Sequence, residues 1–258
     1  MNTTEIGFFT AQPYMGGVDE MGIFTPAHLV WLTYSLALII VLVRVYAHQR
    51  PGTELGSPRR TMMLIVATVP PVLLISQDCI MISAGMFNPN WWPLHACNLC
   101  EYLGLVYALR PNRFSGEVLF TLGIGGAAAA LLFPNWYYCP AWSWPVLCGF
   151  TEHSLIITFI AMQMHARDFV PRLRDIWMPA LFVGIYAPAA YAFNARFGTN
   201  FAFVTTPSPG SPLETMAGVF GIPGYIIPYT LTVFAIWTVM YVFWGAWMRR
   251  SRQKDAVH

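Results

Sequence analysis

Trp92-Pro93-Leu94-His95-Ala96-Cys97-Asn98-Leu99-Cys100-Glu101 opens an apolar run that continues to Leu109. The run is greasy enough to enter a bilayer, yet it carries His95, Cys97, Asn98, Cys100 and Glu101. Polar and ionisable side chains are costly inside a membrane span and mark functional sites there, facing protein or water rather than lipid. A membrane helix that carries chemistry here sets the expected architecture of the rest of the chain.

Composition agrees with a membrane setting. Of 258 residues, 56% are hydrophobic and only 10% are charged, against about 25% charged in soluble domains. Mean hydropathy is +0.51. A hydrocarbon core of about 30 Å needs roughly 20 apolar helical residues. Seven stretches meet or approach that length: 27–47, 61–84, 93–109, 116–133, 146–165, 176–193 and 222–247. Thr25-Pro26 starts the first in the manner of a helix N-terminus. Pro70-Pro71 lies inside the second and predicts a kink. The third is short. Gly123 to Ala130 in the fourth supplies small residues for close helix packing. Met1 to Gly22, polar with Gly and Pro, reads as an exposed tail. No basic residue precedes Arg44, so the basic start of a cleaved signal peptide is missing. The 194–221 stretch, rich in Gly, Pro, Ser and Thr, reads as a long outer loop; a lid and a disordered segment are its two readings.

Charge sets the orientation. Arg44, Arg50, Arg59, Arg60, Arg110, Arg113, Arg167, Arg172, Arg174, Arg249, Arg250, Arg252 and Lys254 fall on one side, and Arg196 alone on the other. The positive-inside rule then places the N-terminus outside and the C-terminus in the cytoplasm. Trp91, Trp92, Trp136, Trp142 and Trp144 fall on the outer side, where an interfacial aromatic belt belongs. The expected fold is therefore all-α: a single polytopic domain over 1–258 with seven transmembrane helices.

With that topology, Asp78, His95, Cys97, Asn98, Glu101, Glu152 and His153 share one slab, roughly 3 to 12 Å below the outer interface at 1.5 Å per helical residue. On an ideal helix Cys97 and Glu101 share one face, His95 and Asn98 the adjoining one, and Tyr102 falls within the same sector. His95 and Cys97 are nearly opposed, so a base for Cys97 is expected from another helix, and His153 is the best-placed candidate. A thiol becomes a nucleophile when a base or a positive field favours its thiolate; the bland alternative is a small apolar residue in a packed helix. Asp78 and Glu101 have three readings: orienting a histidine, holding a proton, or pairing structurally. His95 either holds the helix start at Pro93 or meets a headgroup phosphate. His28 and His48 read as interface residues. Cys139 and Cys148 flank an outer loop, either paired or as free thiols. Cys97-x-x-Cys100 with His95 and His153 is a weak zinc pattern. No basic amphipathic stretch points to nucleic acid. The last span holds no lysine for a retinal Schiff base.

Pro93-Leu-His-Ala-Cys-Asn, the Gly-rich fourth span ending Leu-Phe-Pro134, Glu152-His153-Ser, and Asn200-Phe followed by Pro207 resemble the bacterial YwaF-like membrane proteins, which are similar to the animal transmembrane protein 164. The resemblance runs from the second span to the outer loop. It implies a cysteine-dependent acyltransferase of the bacterial plasma membrane acting on phospholipids or lysophospholipids. Cys97 would accept the acyl group and His153 would be its base. Asn98 would stabilise the oxyanion, with His95, Glu101, Glu152, Asp78, Tyr102 and Asn200 in support, and no cofactor is required. Glu152 departs from the Ser-like residue that precedes the histidine in relatives. Two other functions use the same polar slab: a seven-helix ligand binder or transporter, and a metal-dependent lipid hydrolase.

Overall fold

The computed structural model describes residues 6–255 apart from Val18, Thr53 and Leu55, with side chains as far as Arg250. The fold is all-helical. Helices α1 (Pro26–His48), α2 (Pro58–Ser83), α4 (Arg113–Leu132), α5 (Trp144–His165), α6 (Trp177–Phe197) and α8 (Ile226–Asp255) are each long and apolar enough to cross a membrane, while α3 (Ala96–Leu109) is a shorter apolar helix. A further helix, α7 (Pro212–Phe220), lies in the connection before α8. At 1.5 Å per residue, the 14 residues of α3 span about 21 Å, less than the hydrocarbon core.

Local chemistry sets the helix starts. Thr25 and Ser57 cap α1 and α2, accepting from His28 N at 3.3 Å and Arg60 N at 3.4 Å, each followed by a proline whose missing N–H costs nothing in a first turn. Asn112 caps α4 through Ser115 N at 2.9 Å. α6 ends at Gly198, whose φ of 67° is the left-handed geometry that glycine adopts without penalty. α2 continues as one helix through Pro70 and Pro71. The carbonyls of Val66 and Ala67 lose their usual donors there, and all four residues are buried.

α5 is the axis of the molecule. It is buried along nearly its whole length and packs against α1, α2, α3 and α4. The small residues of α4 do what their size predicts: a Cβ on Gly123 would stand 3.4 Å from Ile156 of α5. A π-helical turn, Leu119–Gly123, interrupts α4.

The structure departs from the sequence-based expectation in four places. The N-terminal segment from Ile6 onward is largely exposed but docked on the bundle rather than free, and Met1 to Glu5 lie outside the described residues. Met15 and Met21 are buried against Trp136, Cys139 and Phe150, and Met21 N and Gly22 N donate to the carbonyls of Cys139 and Tyr137. Two long apolar methionines outweigh the Gly and Pro around them. Trp136 is buried, not part of an exposed belt, whereas Trp92 and Trp142 are exposed. His28 is fully buried: Nδ1 accepts from Phe24 N and Nε2 reaches the Leu131 carbonyl at 2.8 Å, tying α1 to the end of α4. The 194–221 stretch is neither all loop nor formless. It begins inside α6, makes a 3-10 turn at Phe201–Phe203, and contains α7. His48 is exposed, and Cys139 and Cys148 are buried free thiols. In the connection between α4 and α5, burial pushes the Cys139 thiol up to about 12.

Candidate functional site

The third helix starts later than its sequence suggests, and this shapes the site. Pro93 and Leu94 lie in a bend, and His95 is the N-cap residue with an extended backbone. His95 accepts from Leu99 N through its carbonyl, at 3.1 Å, and its imidazole makes no cap bond. Its ring is therefore free of the helical phase that α3 imposes on later residues. It lies between two rings of the connection that follows α6, 4.9 Å from Phe201 and 5.6 Å from Phe203 between centroids. Asn194 fixes that aromatic clamp by donating to the Phe201 carbonyl at 3.0 Å and accepting from Phe201 N at 2.8 Å. Asn200 works within the same connection, bonding Thr205 and Thr206. Its hydrogen bonds all stay inside the loop.

Inside α3, Cys97 and Asn98 are half-buried, Glu101 is 2% exposed and Tyr102 is 37% exposed. Asn98 Nδ2 donates to Glu101 Oε1 at 3.4 Å, and Glu101 Oε2 is buried with no partner. From α5, Glu152 is buried and accepts from Gln77 Nε2 of α2 at 3.0 Å. Both Glu101 and Glu152 lie within electrostatic range of Cys97. Asp78, half-buried on α2, lies within electrostatic range of both glutamates. Tyr186 of α6 is also near Cys97, and its hydroxyl donates to the Leu94 carbonyl at 2.7 Å, pinning the start of α3 to α6.

His153 is buried one residue beyond Glu152. Its Nδ1 faces the Gly149 carbonyl at 2.7 Å. A carbonyl can only accept, so Nδ1 carries the hydrogen and Nε2 holds the basic lone pair. The Trp136 ring lies 5.1 Å from the His153 ring, tilted by 33°. His95 and His153 are in electrostatic range of each other.

The structure thus gathers Asp78, His95, Cys97, Asn98, Glu101, Glu152 and His153 at one end of the bundle, from three helices and the turn before α3. It does not join Cys97 Sγ to His153 in a hydrogen bond. Tyr102 faces outward and Asn200 belongs to the loop. Among the described residues, no three His, Cys, Asp or Glu side chains converge in a way that could hold a metal ion. Cys100 points into the apolar core, 1% exposed.

Sequence reasoning missed Gln77, Trp136 and Tyr186. Gln77 carried a signal, being an amide beside Asp78 in an apolar span. Trp136 and Tyr186 carried none, since aromatic residues suit interface and core equally well.

Gly149 is the residue that lets this end close. A Cβ there would stand 2.6 Å from the Trp136 ring. Gly149→Ala is expected to displace that ring, cost about 1–3 kcal/mol of stability as an overpacked site, and loosen the support of His153. Thermal unfolding in detergent, followed by tryptophan fluorescence, measures both effects; an unchanged midpoint and spectrum would refute the packing argument.

No curated protein and no solved structure matches the chain significantly. A family model does, across residues 23–241, which take in every element of the site. On that match, and with a membrane fold around it, the chain belongs to the TMEM164 family.

Proposed function

We propose that the protein is a membrane-embedded acyltransferase that moves a fatty-acyl group between phospholipids or lysophospholipids through a thioester on Cys97. The observation that carries this reading is the concentration of a thiol, two imidazoles and buried carboxyl groups at one end, away from the arginine ion pairs at the other. We take α3 as a seventh span, the basic end as cytoplasmic, and the site as lying in the outer-leaflet half. Lipid ester carbonyls lie at that depth. The sequence resemblance to cysteine-dependent lipid acyltransferases supports the same chemistry, and a bacterial plasma membrane is its implied location.

In this mechanism the thiol proton passes to His153 Nε2 as Cys97 Sγ attacks the ester carbonyl carbon. The carbonyl π electrons move to oxygen, and Asn98 has an amide hydrogen to offer that oxyanion besides the one it gives Glu101. The C–O bond to the glycerol then breaks, and His153 returns the proton to the departing oxygen, releasing a lysolipid. An acceptor hydroxyl reverses each step. Its proton goes to His153, its oxygen takes the acyl group, and the sulfur leaves and regains the proton. The Cys97–His153 hydrogen bond forms on this reading in the lipid complex, since such bonds tighten there. A thiolate beside Glu101 and Glu152 is compatible with those carboxyls only while they carry protons.

The test is direct. Purified protein incubated with tail-labelled phospholipid is expected to gain one acyl mass on the Cys97 peptide, removed by hydroxylamine. An adduct on any other residue, or acyl transfer to a lysolipid with no adduct found when the acceptor is withheld, would overturn the reading.

A further inference from the structure

Residues 6–22 cross the end of the bundle that holds the site. Trp144 N donates to the Phe8 carbonyl at 2.8 Å, and the Phe9 ring lies 5.4 Å from that of Trp144. Thr10 and Gln12 then come up to Gln77 and Ile80 of α2, with Trp91 and Trp144 alongside. A cavity of about 10 Å³ remains between them, close to the least that holds one water. Gln77 is the residue whose amide donates to Glu152 at 3.0 Å. Further along, Met15 and Met21 are buried with Trp136, whose ring lies 5.1 Å from that of His153. Glu152 and His153 are thus each one residue away from this segment.

We propose that residues 6–22 are a strap that bars bulk water from a Cys97 thioester and so directs the acyl group to a lipid hydroxyl. This role rests on the acyl-enzyme reading above. Such a thioester can be attacked by a lipid hydroxyl or by water. In either case the attacking oxygen bonds the carbonyl carbon, the C–S bond breaks, and His153 carries the attacker's proton to the sulfur. The first route yields an acylated lipid and the second a free fatty acid. One base and one oxyanion donor serve both, so the outcome turns on which acceptor arrives, and excluding water protects a reactive intermediate from hydrolysis. Three observations put that task on the segment. Its outer side is wet, since Asp19 and Glu20 are exposed there and a carboxylate outside the fold is kept in water by the cost of desolvating it. Its inner side covers a polar layer, with room over Gln77 for about one water. It is also fastened along its length. Phe8 is held by Trp144, Gln12 shares a side-chain hydrogen bond with Tyr138, and Met21 N and Gly22 N donate to the carbonyls of Cys139 and Tyr137 at 2.9 Å each.

The experiment uses the full chain in nanodiscs. Met15→Ser combined with Met21→Ser weakens the apolar anchor without touching the catalytic groups, and faster hydrogen exchange over 10–22 reports the loosening. A charged, water-soluble maleimide is then expected to alkylate Cys97 about fivefold faster or more, while Cys100, packed in the core, stays unlabelled. With labelled phospholipid and a lysolipid acceptor, fatty acid released relative to acyl transferred should rise by a similar factor, and single-turnover acylation of Cys97 should stay near wild type. Met15→Ala alone should move both readouts the same way by less, and it carries the test if the double variant does not fold. A loosened segment with alkylation and partition unchanged would overturn the proposal, and so would Cys100 labelling that rises in step with Cys97. An adduct on Cys97 with an unmoved partition defeats the strap alone; no adduct in the wild type defeats the acyl-enzyme reading and this role with it.

Discussion

Replacing Cys97 with Ala is expected to erase the hydroxylamine-sensitive acyl adduct and lower acyl transfer by about 10³-fold or more, as loss of a covalent nucleophile does in other enzymes. The fold should survive. Cys97 is half-buried at the edge of the core, and alanine keeps its Cβ. Cys100→Ala is the control, because that thiol is packed into the core one helical turn away and its loss is a packing defect alone. His153→Asn extends the test to the base. Asparagine can still donate near the Gly149 carbonyl, where the imidazole Nδ1 donates now, but it has no nitrogen to accept a proton. The expected loss is about 10²–10⁴ in the acylation rate, measured by single-turnover formation of the adduct. Removal of Cys97 with the adduct intact would end the thiol mechanism. Full activity in His153→Asn would take the base elsewhere, with His95 the next candidate by position.

Most of this arrangement could be read before any coordinates, and the failures share a cause. Span positions emerged from length and hydropathy because the bilayer imposes a fixed thickness on every helix. The helix ends emerged less well. The start of α3 was read at Pro93, and the chain bends until Ala96, leaving His95 outside the helical phase on which its pairing with Asn98 had been argued. That bend is set by Tyr186 on another helix and by Phe201 and Phe203 in the loop, partners that no local pattern announces. Level along the bundle was legible: Cys97, Glu101, Glu152 and His153 come to one end, as span order and helical rise predict. Azimuth was legible only in part. Glu101 and Tyr102 are adjacent in sequence, yet one is buried and the other open to the surroundings. The same limit applies to Met15 and Met21, whose burial depends on a surface made by Trp136 and Phe150 far along the chain.

The second large effect belongs to the opposite end of the bundle, where none of the sequence-predicted site residues lies. Glu117 is fully buried there and fully engaged. One oxygen accepts from Arg113 Nη2 and from Arg172 N at 3.2 Å, and the other accepts from the Tyr241 hydroxyl at 2.7 Å. Arg113 in turn holds Asp175 at 2.7 Å and the Val170 carbonyl at 3.1 Å. One carboxylate thus joins α4, the connection before α6, and α8. Glu117→Ala is expected to cost about 3–5 kcal/mol, since removing one partner of a buried pair leaves the others desolvated and unsatisfied. Glu117→Gln should cost less, because an amide oxygen can still accept one of these hydrogen bonds. Tyr241→Phe, which deletes a single neutral donor to a charged oxygen, should cost about 1.5–3 kcal/mol. Thermal unfolding in detergent orders the three variants. Acyl transfer per folded molecule should stay near wild type in all of them, because the network lies at the far end from Cys97. Equal midpoints for Glu117→Ala and wild type would show that the carboxylate contributes nothing to holding α8 against α4.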